Sequence, residues 1–220
     1  MSAEIPAIIF QRGPKASYLA VVESLPFQAR FEHILVTPNS RGVSTEERVT
    51  GAIYRDSAGR VRREYGMHLS AGEEIELVVI LDLAARTVVA IDTAAKRATR
   101  FNEFGLPPGQ SITLRGWGFS GAWSLEGARG ERMIEGVECK KAHRIVPPLL
   151  SAAQNAEEGE IWVSDELKYS ILERLSDSQG KHSWRLYDIQ RVEPPNSLFV
   201  VPAEYTEVVK SIFSSGLPEH

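Results

Sequence analysis

A single cysteine, Cys139, stands in 220 residues. No intrachain disulfide can form, so packing alone must hold the core. Lys140 and Lys141 follow it, yet a plain structural thiol is the simpler reading. An excess of positive charge is also missing. The chain has 25 Lys+Arg against 29 Asp+Glu, a net charge of -4. Without a basic stripe there is no general phosphate-binding surface, which excludes nucleic acid as a partner. Arg60, Arg62 and Arg63 form a short cluster that reads as a solvated strand face. No apolar run approaches the roughly 20 residues of a membrane-spanning helix. The five histidines, His33, His68, His143, His182 and His220, are dispersed. None makes a close pair, and no Asp/Glu cluster supplies hard-metal ligands, so neither metal nor cofactor is expected. Gly116-Trp117-Gly118-Phe119-Ser120-Gly121 has the spacing of a dinucleotide fingerprint. It lacks the following helix and the βαβ context that chemistry needs. Ser120 also lacks the frame of a nucleophile elbow. No catalytic constellation is found, and the chain reads as a non-enzyme.

Short strands and polar turns are what the sequence does contain. Apolar and polar residues alternate over Phe27–Thr37, with Phe31, His33 and Leu35 on one face and Ile34 and Val36 on the other. Further strands are predicted over 45–55, 60–65, 75–82, 87–92, 97–104, 131–134, 137–146, 159–164, 168–176 and 181–191. The run from Ile75 to Leu81 is almost continuously apolar, which predicts cover on both faces. Asp56-Ser-Ala-Gly59 has hairpin chemistry. The Asp side chain accepts a backbone hydrogen bond, and Gly supplies a left-handed residue. Asp177-Ser-Gln-Gly180 repeats the pattern. Trp162 and Trp184 read as core residues. Pro194-Pro195 ends pairing, and Asn196 or Ser197 is placed to cap one turn carrying Leu198 and Phe199.

These elements predict a mainly β fold. It is a single curved antiparallel sheet or unclosed β-barrel built from hairpins, with few short helices. Residues 1–26 read as a lead-in and 27–205 as one β domain. Val208, Val209, Ile212 and Phe213 fall at helical spacing, so 206–220 reads as a short amphipathic C-terminal helix and tail. Residues 147–158 read as a linker with one helical turn. Residues 105–130 interleave glycines with Trp117, Phe119 and Trp123. Long loops of this kind are often functional. These three aromatics are the candidate ligand-binding residues, as a lid or wall over an apolar cavity. The same residues also read as core anchors that pin a glycine-rich crossing.

Several segments carry a resemblance: E-I-W-V-S-D-E-L at 160–167, W-R-L-Y-D-I at 184–189 and E-P-P-N-S-L-F-x-V-P-A-E-Y at 193–205. Y-R-D-S-A-G-R-V-R-R-E at 54–64 and I-E-G-V-E-C at 134–139 also fit. The chain resembles a group of exported, acidobacterial-type bacterial proteins, which are similar to the LolA/LolB-like lipoprotein-carrier and envelope-sensor superfamily. The resemblance implies an unclosed antiparallel β-barrel around an apolar cavity. It also implies non-catalytic handling of a lipid, acyl chain or lipoprotein, an envelope protein as a further partner, and a periplasmic or secreted location. The opening residues show no basic stretch followed by a long apolar one, which reads as a cytosolic protein or a mature or trimmed form. The alternative function is a protein-interaction or scaffold module whose sheet face is filled and takes no small ligand.

Overall fold

The computed structural model describes residues 9–12, 22–38, 43–68, 74–82, 84–102, 110–113, 123–125, 129–144, 158–177 and 180–211. In chain order the strands are β1 (Ile9–Arg12), β2 (Phe27–Pro38), β3 (Ser44–Arg55), β4 (Val61–His68) and β5 (Glu74–Asp82). They continue with β6 (Thr87–Asp92), β7 (Arg97–Asn102), β8 (Gln110–Thr113), β9 (Trp123–Ser124) and β10 (Glu131–Ile134). The last five are β11 (Val137–Arg144), β12 (Glu158–Ser164), β13 (Tyr169–Asp177), β14 (Gly180–Gln190) and β15 (Thr206–Ser211). One large, antiparallel-dominated sheet has the hydrogen-bonded order β10-β11-β12-β13-β14-β2-β3-β4-β5-β6-β7-β15, with β9 beside β11. It is unclosed, because β10 and β15 end the ladder among the described residues. β1 and β8 pair separately. Sequence reading passed over both, because four residues amid prolines and glycines carry little periodicity.

The chain divides into two compact units. One comprises Met1–Ala20, His33–Glu47 and Leu106–Arg185, and the other Val21–Glu32, Arg48–Gly105 and Leu186–His220. The second unit contains β4 to β7. Register pairs Val78 with Ile91 and Ile80 with Val89. These four cluster with Ala98 and Phe199, and Tyr54, Leu198, Val201 and Tyr205 pack against them. The opposite face carries Val79, Leu81, Val88 and Ala90, also buried. β5 is thus covered on both faces, as its apolar run predicts. Two turns share one device. Asp82 Oδ1 accepts the Ala85 N–H and Asp92 Oδ1 accepts the Ala95 N–H, both at 2.8 Å. Arg86 and Lys96 then close the turns at positive φ. The 56–59 turn forms as expected: Asp56 Oδ1 accepts the Arg60 N–H at 2.8 Å, and Gly59 has φ +80°.

Three expectations are corrected. The C-terminal helix is absent over 206–211, which form β15 parallel to β7. Thr206, Val208 and Val209 are β-branched and fit a pleated edge, and Thr206 N–H donates to Lys96 O at 3.0 Å to start the ladder. Residues 212–220 lie outside the described residues. Neither Asn196 nor Ser197 caps the 3₁₀ turn Asn196–Phe199. Asn196 Oδ1 instead accepts from Arg60 Nη2 at 2.6 Å. The arginine cluster is not a solvated face. Arg63 is buried, Arg60 lies 4.8 Å over the Phe199 ring, and Arg62 donates to Leu198 O at 2.8 Å. Arg60 and Arg62 thus serve as long donors that tie the proline segment to the sheet. In the second Asp-Gly turn Asp177 pairs with Gly180, which has φ +140°, and residues 178 and 179 lie outside the described residues. The linker turn at 149–156 lies outside the described residues.

Candidate functional site

Of the three aromatic candidates, Trp117 and Phe119 lie outside the described residues. Trp123 opens β9, where its backbone pairs with Arg144 of β11. A site must therefore be sought on the strands, and the first unit supplies one. Register aligns Lys141, Trp162, Leu172 and Arg185 in one row across β11 to β14. A second row, Ala142, Ile161, Glu173 and Trp184, points to the opposite side by strand alternation. The second row is buried throughout, and Ala142 and Ile161 join Val163 and Leu175 in a core cluster. His33 continues this side, with its ring centroid 5.8 Å from His182 and 6.3 Å from Trp184. Trp162 and Trp184 are core residues, as their sequence context suggests.

The β13–β14 hairpin and the end of β2 enclose a groove of about 280 Å³. Ile34 and Val36 give it apolar walls, Arg174 and Lys181 bring cationic side chains, and the buried Leu175 also borders it. Ser176, His182 and Ser183 complete the lining. Arg174 stands opposite Ser183 and Ser176 opposite Lys181, so these four share one side of the hairpin. Such a surface can bind an amphiphile: apolar walls bury a chain and the cations meet an anionic head. It offers no paired acid and base for proton transfer.

Beside the groove lies a polar network. Glu160 accepts from Trp162 Nε1 at 2.9 Å and from Arg174 at 3.3 Å, with Arg132 3.8 Å away. The Trp162 hydrogen bond, then the arginines, hold its carboxyl below the ordinary range against a partial cost of burial. Arg132 stacks 3.9 Å above the Trp162 ring. Cys139 lies beneath this face, fully buried, and burial pushes its thiol up to about 11. The native thiol is therefore expected to resist a disulfide reagent such as DTNB at about pH 8. Denaturation should release one equivalent per chain. Rapid labelling of the folded protein would contradict this. Among the described residues, no group of three His, Cys, Asp or Glu could hold a metal ion. None of their helices is long and apolar enough to cross a membrane.

Sequence reasoning missed Arg174, Leu175 and Lys181. The 177–180 turn already brings them together in sequence, and Ile34 and Val36 were placed on one strand face. The missing link was that β14 pairs with β2, across about 150 residues of chain.

No family model matches the chain, and no curated protein does. Solved structures do. An uncharacterized conserved protein from Thermus thermophilus is similar at 13% identity, over 85% of this chain and 91% of that one, with a TM-score of 0.50. The MucA/MucB complex of Pseudomonas aeruginosa is similar at 16% identity, over 89% of this chain and 62% of that one, with a TM-score of 0.43. The LolA superfamily protein NE2245 from Nitrosomonas europaea is similar at 7% identity, over 81% and 91%, with a TM-score of 0.32. At these identities the likeness concerns the fold alone, and the two lower scores carry no further weight.

Proposed function

We propose that this is a non-enzymatic protein of the cell envelope that holds an acyl chain, of a lipid or a lipoprotein, in an apolar groove of its sheet. The observation that carries this reading is the groove between β2 and the β13–β14 hairpin, where Ile34, Val36 and Leu175 adjoin Arg174 and Lys181. Its volume of about 280 Å³ is just below the range of ligand sites, roughly 300–1,000 Å³. That suits one chain segment better than a whole diacyl lipid. The resemblance to lipoprotein carriers agrees with this chemistry. Trp117, Phe119 and Trp123 remain the proposed second wall.

Native mass spectrometry of the purified protein, followed by solvent extraction, tests the proposal. The expected result is an adduct that releases a fatty acid or lipid. Ile34→Trp should fill the groove and weaken uptake of a fluorescent fatty acid by at least about tenfold, from the lost apolar burial, while leaving the melting transition in place. A delipidated protein that takes up no fatty acid would overturn it. A second reading, a protein-interaction module, is favoured by a different observation. β15 ends the ladder among the described residues, and its Val208 and Val209 are exposed, so that edge suits pairing with another strand.

A further inference from the structure

The chain as a whole is acidic, at -4, yet one side of β10 to β14 gathers cations. Arg132 stands opposite Cys139, and Lys141 is two residues further along on the same side. Lys141 continues the row that ends in Arg185. Arg174 and Lys181 join the same side through Leu172 and Ser183. The side chains of Arg174 and Arg185 are 65% and 54% exposed, and Lys141 and Lys181 are exposed as well. Against these five cations stand two carboxylates whose side chains are described, Glu160 and Glu135, each already engaged by arginine.

We propose that this side of the sheet docks the protein on an anionic membrane surface, which it meets as a field of phosphate-bearing headgroups. The geometry favours a surface over a single ligand. The cations stand on four of five neighbouring strands, about 19 Å from β10 to β14 at the usual strand spacing. One bound anion would require them to converge. It also favours a membrane over an acidic protein. Protein interfaces draw on exposed aromatic and aliphatic anchors, whereas Trp162 and Leu172 on this side are buried and Arg132 covers the Trp162 ring. Long cationic side chains distributed over neighbouring strands are suited to a field of lipid phosphates. The inference does not depend on the groove being an acyl-chain site.

Sedimentation with lipid vesicles tests it. The full chain should bind vesicles containing about one third phosphatidylglycerol and not phosphatidylcholine alone. Binding should fade as salt rises from about 0.05 to 0.5 M, because the Debye length shortens. Each basic residue near an anionic surface is worth about a fivefold change in partitioning. The Lys141→Glu, Lys181→Glu double variant should therefore lose at least about twentyfold. Lys141→Gln with Lys181→Gln, which adds no repulsion, should lose less but in the same direction, and it keeps the test valid if the first variant folds poorly. Circular dichroism serves as the control that should not move, and the Lys141 single variants, which leave the groove lining intact, should shift vesicle binding in the same direction without changing fatty-acid uptake. Equal binding to neutral vesicles, binding untouched by both variants, or capture of polyglutamate with no vesicle binding would each overturn the proposal.

Discussion

Gly51→Val is expected to abolish stable folding at ambient temperature. Gly51 lies in β3 opposite Tyr65. A Cβ there would sit 1.9 Å from the Glu64 carbonyl oxygen and 2.6 Å from the Phe31 ring. That ring is buried and packs edge-on against Tyr65, with centroids 5.4 Å apart. A ring can turn, but a ladder carbonyl cannot retreat without breaking its strand pairing. Overpacking against side chains costs about 1–3 kcal/mol, and a backbone clash belongs above that range. Urea unfolding followed by circular dichroism would measure the loss. Adding Phe31→Leu should not rescue Gly51→Ala, because the carbonyl remains. Rescue by that second substitution would show that the ring, not the backbone, sets the limit.

Phe199→Ala should give the second large loss, about 3–5 kcal/mol from lost burial and the cavity left behind. Phe199 is 8% exposed and packs on Val78, Ile80, Val89, Ile91 and Ala98. Arg60 stacks on its other face and is held by Asp56. One ring therefore anchors the whole Pro194–Tyr205 segment. At this chain length each kcal/mol lowers the midpoint by roughly 2–4 °C, so a fall of about 10 °C is expected in a thermal melt. Phe199→Leu should keep more than half of the stability. A midpoint within a degree or two of the parent for Phe199→Ala would mean that the segment is held by its arginine hydrogen bonds instead.

The strands legible in the sequence share a property: each pairs with a chain neighbour through a short turn of known chemistry. Asp56 with Gly59 and Val137 after Glu135-Gly136 are examples, and Thr87–Asp92 matches to the residue. The groove was legible only in halves. Alternation placed Ile34 and Val36 on one face of β2, and the 177–180 turn placed Arg174 near Lys181. Nothing local says that β14 hydrogen-bonds to β2. The arginines misled for a related reason. A run of charge reads as solvated, yet Arg60 and Arg62 find their partners in the proline segment, far along the chain.

Composition and periodicity alone determined that the chain is a disulfide-free, mainly β protein of hairpins with no local catalytic or metal motif. They also determined that β5 is covered on both faces. These properties depend on residues a few positions apart, so a sequence window contains them. Only the tertiary structure decided that Ile34 and Val36 meet Arg174 and Lys181, and that five cations share one side of the first unit. It also decided that Thr206–Ser211 extends along β7 rather than coiling. A six-residue segment is compatible with either period until a neighbouring edge offers hydrogen bonds, and which edge is near depends on contacts far apart in the chain.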